Sequence, residues 1–303
     1  MADIVVIGSL NADLVVRAPH FPAPGETIQG EDLATIPGGK GANQAVAAAR
    51  LGASVAMVGC VGADAFGATL VKNLKQNNVD ASHVRQDGAA ATGTAIIIVD
   101  SDGENSIVLS PGANAKIANA DIEPAALANT KLILLQFEIP IEVVLYSAKL
   151  AKERGARVIL NPAPAREVPD ELLKMADYIL PNETELCLLT GKAITDKASL
   201  ETAASALLSR GAANVVVTLG DKGALIVNKS GKKYVPSFKV KPVDTTGAGD
   251  AFIGGMAFAL LQRKSLKDAV KYGCACGALA TTKFGAQPSL PTAQDVREFL
   301  RSA

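Results

Sequence analysis

Tryptophan is absent from the 303-residue chain, and eight Phe and four Tyr make up the rest of its aromatic complement. Surfaces on which bases could stack are therefore in short supply. A surplus of positive charge is missing too: 30 Lys and Arg balance 30 Asp and Glu, without the basic excess of nucleic-acid or anionic-membrane binders. Neither nucleic acid nor a membrane is expected as a partner. Histidine is limited to His20 and His83, and the four cysteines, Cys60, Cys187, Cys274 and Cys276, include no CxxC pair. No zinc-finger spacing can be written from these residues. The longest apolar stretch, near Ala251 to Leu261, is about half a membrane span. The opening MADIVVIGSLNADL enters a strand pattern with no basic flank or cleavage site. A soluble, reduced, cytoplasmic protein is expected.

What is present is a globular composition, 49% hydrophobic and 20% charged, which excludes a disordered or fibrous chain. Apolar runs of strand length (Ile4 to Ile7, Val55 to Val58, Leu132 to Leu135, Val158 to Leu160, Tyr178 to Leu180, Val215 to Leu219) alternate with helix-length segments (Ala42 to Leu51, Phe66 to Leu74, Val143 to Lys152). Doubly apolar strands alternating with helices predict an α/β fold: a doubly wound, mostly parallel sheet flanked by helices. Residues 12–36 and 92–110 break the rhythm as short strands joined by turns, the second around Ser101-Asp102-Gly103. They are expected to form a small antiparallel sheet inserted into a single domain spanning 1–303, with edge hairpins as the plainer alternative. The end of the chain is predicted helical over Ala248 to Arg263, Leu266 to Thr282 and Ala293 to Arg301.

The strongest local motif is Asp244-Thr245-Thr246-Gly247-Ala248-Gly249-Asp250, directly before the apolar AFIGGMAFALL. Glycines allow a tight turn there, and the amides of Gly247, Ala248 and Gly249 would point from a helix N-terminus at an anion. Asp250 is then a carboxylate at the rim of that cradle, or simply an N-cap or first-turn acid. A second glycine cluster, Pro37-Gly38-Gly39-Lys40-Gly41-Ala42-Asn43, also precedes a helix, and Asn11 and Asp13 follow the first strand. In a doubly wound sheet such loops converge on one edge, so Asn11, Asp13, Lys40 and Asn43 form a candidate hydroxyl-recognising pocket facing Asp250. Tight turns and Asx turns are the structural alternatives. Dinucleotide and Walker A motifs are both excluded by counting. Position i+5 from Gly39 and Gly247 holds Gln44 and Phe252, and no Gly-Lys pair is followed by Ser or Thr.

With Gly38 to Asn43 (GGKGAN) and DTTGAGD about 200 residues apart and in order, the chain resembles the ribokinase family of carbohydrate kinases. The likeness continues through Asn11-Ala12-Asp13, Glu138, Asn161 to Pro164, Asn182 to Glu185, Thr218 to Gly220 and Gly285 to Ser289. It covers essentially the whole chain. The resemblance implies ATP-dependent phosphorylation of D-ribose at its 5-hydroxyl, with Asp250 as catalytic base and Gly247, Ala248 and Gly249 holding the transferred phosphoryl group. It assigns the sugar to Asn11, Asp13, Gly39, Lys40, Asn43, Glu138 and Asp250. ATP is assigned to Asn182, Thr218, Leu219, Gly220, Asp221, Lys222, Gly223, Gly249 and Cys274.

The same likeness implies Mg²⁺ positioned by Glu185 through water, for which a charged first helical turn is the plainer reading. It also implies a monovalent cation, K⁺, at positions matching Asp244, Thr246, Ala280, Lys283, Gly285 and Ser289, many through backbone carbonyls. The strand-rich insertions would be a lid that excludes water and pairs two subunits into a homodimer. Cys274 is expected to pack near the adenine and not act as a redox centre, while His20 and His83 are expected in loops or at the surface. Family relatives acting on 2-deoxyribose, fructose or a nucleoside such as adenosine, and a non-catalytic sugar-binding regulator, are the alternatives. A dehydrogenase lacks its dinucleotide motif.

Overall fold

The computed structural model describes residues 2–302. β1 (Ile4–Ile7) leads through β2 (Asn11–Arg17) and β3 (Ala34–Gly38) into α1 (Lys40–Arg50). Then come β4 (Val55–Gly62), α2 (Ala65–Gln76), β5 (Val79–Asp87), β6 (Gly93–Val99) and β7 (Asn105–Ser110). The second half runs β8 (Leu132–Leu135), α3 (Ile141–Glu153), β9 (Arg157–Leu160), α4 (Asp170–Met175), β10 (Tyr178–Ile179), α5 (Glu183–Thr190), α6 (Lys197–Ser209) and β11 (Asn214–Thr218). A hairpin of β12 (Ala224–Asn228) and β13 (Gly231–Val235) precedes α7 (Ala248–Leu261), α8 (Leu266–Ala280), the short α9 (Ala286–Ser289) and α10 (Ala293–Ser302).

The larger sheet has nine strands in the order β13-β12-β11-β10-β9-β8-β1-β4-β5. All neighbours from β11 to β5 are parallel, and β12 and β13 add an antiparallel edge. Alternation along β1 explains the two cores. Ile4 and Val6 pack with residues of α1, α2, α7, α8 and α10, whereas Val5 and Ile7 pack with residues of α3 to α6 on the other face. Each fully buried aliphatic side chain contributes about 1.5–3 kcal/mol, which is why these strands are apolar on both faces.

α7 is apolar all round because it lies inside a helical layer, between α1 and α8. Its approach to α1 is close: a Cβ added at Gly254 would lie 2.5 Å from the Ala47 Cβ. That contact sets how far Asp250, one turn into α7, stands from Asn43 and Gln44 on α1. Among the described residues no helix is long and apolar enough to cross a membrane.

The second sheet, β3-β2-β6-β7, is built from the two predicted insertions. Its pairing departs from the expected antiparallel pattern at the centre, where β2 and β6 run parallel, Asn11 opposite Gly93 and Arg17 opposite Val99. The reason is topological. β2 follows β1 and β6 follows β5, two parallel strands of the main sheet, so both leave the body in the same direction and only their returning partners β3 and β7 are antiparallel. Three strands are further additions to the sequence reading. β5 (VDASHVRQD) is a half-polar edge strand, and the apolar, buried β12 (ALIVN) pairs with β13, the polar strand at the far edge.

Candidate active site

Parallel strands deliver their carboxyl ends to one edge, and the strand order reverses direction between β1 and β8. Loops diverge at such a switch and leave a crevice. β1 sends Ser9, Asn11 and Asp13 there, β8 sends Gln136 and Glu138, and β9 sends Asn161. Farther along the same edge, β10 leads to Asn182 and Glu185, and β11 to the turn Thr218 to Gly223.

The first sugar candidates are pinned to the N-terminus of α1. One Glu138 oxygen, Oε2, accepts the Lys40 backbone N–H at 3.0 Å and the Ser9 hydroxyl, and Ser9 Oγ accepts the Gly41 N–H at 3.3 Å. Glu138 thus satisfies orphan helix donors that no residue of α1 itself caps. Asn114 brackets Leu10 by two backbone hydrogen bonds and donates to Asn11 Oδ1 at 2.7 Å, which leaves the Asn11 amide group uncommitted. Asp13 is buried (8% exposed), yet its carboxylate makes no hydrogen bond or ion pair among the described residues, only its backbone pairing within the sheet. It lies against Gly38, where any Cβ would sit 2.0 Å from its Oδ2. Burial first, then the charges of Glu138 and Asp250, push the Asp13 carboxyl up from 3.8 to about 7, with Lys40 opposing.

Asp250 is not the cap of α7. Gly247 occupies that position with φ 76°, and the Asp250 carboxylate turns inward to accept from Asn43 Nδ2 (2.9 Å) and Gln44 Nε2 (3.0 Å). Burial raises its pKa; Lys40 and the two amides pull it down, and Glu138 pushes it up. Lys40 faces acids from four elements. Burial lowers its pKa, but Asp250, Glu138, Glu185 and Asp13 together hold its ammonium above the ordinary lysine value. Asn43 Oδ1 is buried without a partner, an acceptor available to a ligand hydroxyl.

Of the three expected anion-binding amides, that of Ala248 folds back onto the Thr245 carbonyl at 3.2 Å. Gly249 faces free space, since a Cβ there would meet nothing within 4 Å. Asp244 ties the preceding loop to the next segment, accepting the Thr246 N–H at 2.9 Å and the Gly285 N–H at 2.8 Å. Asp244, Thr246 and Gly285 therefore share one wall of a cavity whose other wall is Asp13, Ile36 and Ile97 of the second sheet. Lys283 and Ser289 instead line a separate concavity beside Asp295, and the Ser289 hydroxyl donates to the Ala286 carbonyl. The Ala280 carbonyl accepts the Lys283 N–H at 3.4 Å.

Among the residues expected to take the nucleotide, Asn182 and Glu185 form a reciprocal capping box: Asn182 Oδ1 accepts the Glu185 N–H at 2.7 Å, and Glu185 Oε2 accepts the Asn182 N–H at 2.9 Å. The first-turn role weighed for Glu185 is therefore real. Burial still raises its pKa against the Asn182 N–H and Lys40, and Asp250 adds to the rise, which places Glu185 in the same electrostatic field as the base candidate. Gly220 to Lys222 make one 3-10 turn closed by the Leu219 N–H to Gly223 carbonyl bond at 2.8 Å, bringing Thr218, Gly220, Asp221, Lys222 and Gly223 to the edge. Leu219 is buried in the core, as is Cys274, whose thiol burial pushes to about 12. Among the described residues no group of three or more His, Cys, Asp or Glu is placed to hold a metal. His20 is exposed and bonded to Glu26, while His83 sits in the strand β5.

Sequence reading gave no role to Ser9, Asn114, Gln136, Asn161 or Gln44. Asn161 was marked only by the stretch Asn161 to Pro164 shared with the family, and Gln44 left a positional signal: it lies four residues after Lys40 and so shares its helix face.

The chain matches the model of the pfkB family of carbohydrate kinases over residues 1–293. It is 44% identical over 302 residues to the ribokinase of Haemophilus influenzae, covering 99% of each chain. It is 38% identical over 301 residues to the deoxyribokinase of Salmonella typhi, covering 98% of each. The structure of Arabidopsis thaliana ribokinase complexed with ribose and ATP superposes with a TM-score of 0.92 at 34% identity, covering 99% of both chains. The family match over residues 1–293, with relatives 38% and 44% identical along nearly the whole chain, places this chain in the pfkB family of carbohydrate kinases.

Proposed function

We propose that the protein transfers the terminal phosphoryl group of ATP to the 5-hydroxyl of D-ribose, giving ribose 5-phosphate. The observation that carries this reading is Asp250, a buried carboxylate in the first turn of α7, behind the Gly247 and Gly249 amides and within the field of an unpartnered Asp13. Asp13, Asn11, Gly39, Lys40, Asn43 and Glu138 hold the sugar. Carboxylates and amides suit that task because each takes hydroxyls in fixed geometry and is penalised when left unpaired. Asp250 accepts the proton of the attacking hydroxyl, and its raised pKa brings its basicity closer to the working pH. The amides of Gly247 and Gly249 and the Lys40 ammonium oppose the charge that gathers on the phosphoryl oxygens, the Ala248 amide being held by the Thr245 carbonyl.

ATP lies along the ends of β10 and β11, on Asn182 and Thr218 to Gly223, with Cys274 packing behind the base. Mg²⁺ fits through water at Glu185, whose carboxylate keeps lone pairs beyond its single capping bond; when bound, it neutralises the nucleotide phosphates. K⁺ fits beside the Asp244 clamp, which gathers backbone from residues 244–246 and 285 around one carboxylate. There Asp244, Thr246 and Gly285 would serve, chiefly through backbone carbonyls, whereas Lys283 and Ser289 line a separate concavity and the Ala280 carbonyl already accepts the Lys283 N–H. The second sheet serves as a lid and as the seam of a homodimer. Support for the seam comes from its outer face, where Leu14, Ile96 and Val108 stand side by side and Ile96 and Val108 are 50% and 64% exposed. Four free cysteines suit a reducing cytoplasm.

The deoxyribokinase relative at 38% identity makes 2-deoxyribose the second reading. A sugar panel assayed with ATP, Mg²⁺ and K⁺ tests both: ribose is expected to give the highest kcat/KM, and a preference for 2-deoxyribose, fructose or adenosine would overturn the assignment. Asp250→Asn is expected to lower kcat by about 10² to 10⁴ while ribose still binds.

A further inference from the structure

Asp250 is held by more than the residues of the sugar pocket. Gln44, fully buried, donates from Nε2 to Asp250 Oδ1 at 3.0 Å and to Asn161 Oδ1 at 3.3 Å, and its Oε1 accepts from Gln136 Nε2 at 2.6 Å. Asn161 in turn donates to the Leu180 carbonyl at 3.1 Å. Every link has a fixed sense. The Leu180 carbonyl can only accept, so Asn161 must present its oxygen to Gln44. Asp250 and Asn161 then both demand the NH₂ side of Gln44, which leaves Oε1 for Gln136. Turning the Gln44 amide over would set oxygen against two oxygens and NH₂ against NH₂.

We propose that Gln44, locked by Gln136 and Asn161, is the positioning residue for Asp250, holding its carboxylate ionised and in one orientation for the attacking hydroxyl. The proposal rests on the reading of Asp250 as base. The charged groups facing that carboxylate are Lys40 from α1, Glu138 from the end of β8, Asp13 from β2 and Glu185 from α5. From α8, the Cys276 thiol lies beside Gly255 of α7, and burial raises its pKa, as it does that of Cys274. With three other acids nearby and burial favouring the protonated form, loss of an amide donor should favour the protonated carboxyl further. The neutral, fixed donor of Gln44 opposes burial without adding a charge that would pair with the phosphates.

Gln44→Met keeps the approximate volume and removes both donors. On whichever sugar the wild type turns over, kcat is expected to fall by about 10-fold or more, the loss of one hydrogen bond to a charged group. KM for the sugar should stay put, and the acidic limb of the kcat profile should move up by about one pH unit. Gln136→Met leaves the Gln44 amide facing Asp250 and Asn161 but takes away the donor that holds its Oε1, so a smaller shift in the same direction is expected, and it serves if Gln44→Met does not fold. The ¹³C carboxyl shift of Asp250, assigned against Asp250→Asn, gives its titration midpoint without turnover and should move upward in both variants. A folded variant with reduced kcat but an unmoved limb and midpoint would reduce Gln44 to packing and overturn the proposal. An inactive wild type with a moved midpoint would instead overturn the kinase reading and leave the positioning intact.

Discussion

Replacing Asp13 by Asn tests whether the proposed sugar pocket is built at the expense of stability. The native carboxyl is raised from 3.8 to about 7 because it is buried beside Glu138 and Asp250. Between those two values the native state binds a proton that the unfolded chain has released, so stability falls as pH rises toward 7, and the full penalty stands above it. A span of about three units corresponds to about 4 kcal/mol at pH 8 and about 1.5 kcal/mol at pH 5, at about 1.36 kcal/mol per unit. Asn carries no charge, matches the shape accommodated by Gly38 and breaks no protein hydrogen bond, so it should recover most of that penalty. At about 2 °C per kcal/mol for a chain of this length, the sugar-free Tm should rise by about 8 °C at pH 8 and about 3 °C at pH 5. Differential scanning calorimetry across this range is the assay. The same variant should raise KM for ribose by at least about 10-fold, since a hydrogen bond to a charged group is lost. A Tm gain equal at both pH values, or no gain, would refute the electrostatic argument.

Three further outcomes are expected. Gly254→Val should push α7 away from Ala47, costing about 1–3 kcal/mol in denaturant unfolding and lowering kcat more than its effect on KM, because Asp250 moves with the helix. Val108→Asp should weaken self-association measured by light scattering and leave the monomer folded, the side chain being 64% exposed. Asp244→Ala should release Thr246 and Gly285 from each other and abolish activation by K⁺ in a salt titration, with ribose binding by calorimetry retained.

Much of the fold was legible because the central strands are apolar on both faces: IVVI and LILL can only be buried parallel strands once helices alternate with them. β5 and β13 carried no such signature, since edge strands owe their place to backbone pairing and tolerate Asp, Lys and Arg; β12 (ALIVN) is apolar and buried but short, and its place is set by antiparallel pairing. The two glycine motifs announced the helix starts that face the crevice, and Asp250, Asn43 and Lys40 came with them. What sequence could not supply was partnership across long separations. Ser9 to Glu138, Gln136 to Gln44 and Asn114 to Asn11 each join residues about 90 to 130 positions apart, and polar residues of this kind look alike whether they face solvent or a carboxylate. The cap reading of Asp250 failed for a local reason: Gly247, with its positive φ, took the cap position and turned the acid inward.

The parallel pair at the centre of the second sheet bears on how the crevice opens. A flap made of a single hairpin is anchored at adjoining strand ends and is free to twist about them. Here two strands depart side by side from separate parts of the chain, and they are bonded to each other from Asn11 and Gly93 outward. Two roots define an axis, so if the second sheet moves as the proposed lid it would swing like a door and not swivel. Asn11 and Asp13 sit beside that axis, where a rotation would displace them least, while the turn at Ser101 to Gly103 would sweep the widest arc. On the proposed reading a sugar would be seated by its hinge-side contacts before the far rim came down, and the grip at the root would not have to be remade with each turnover.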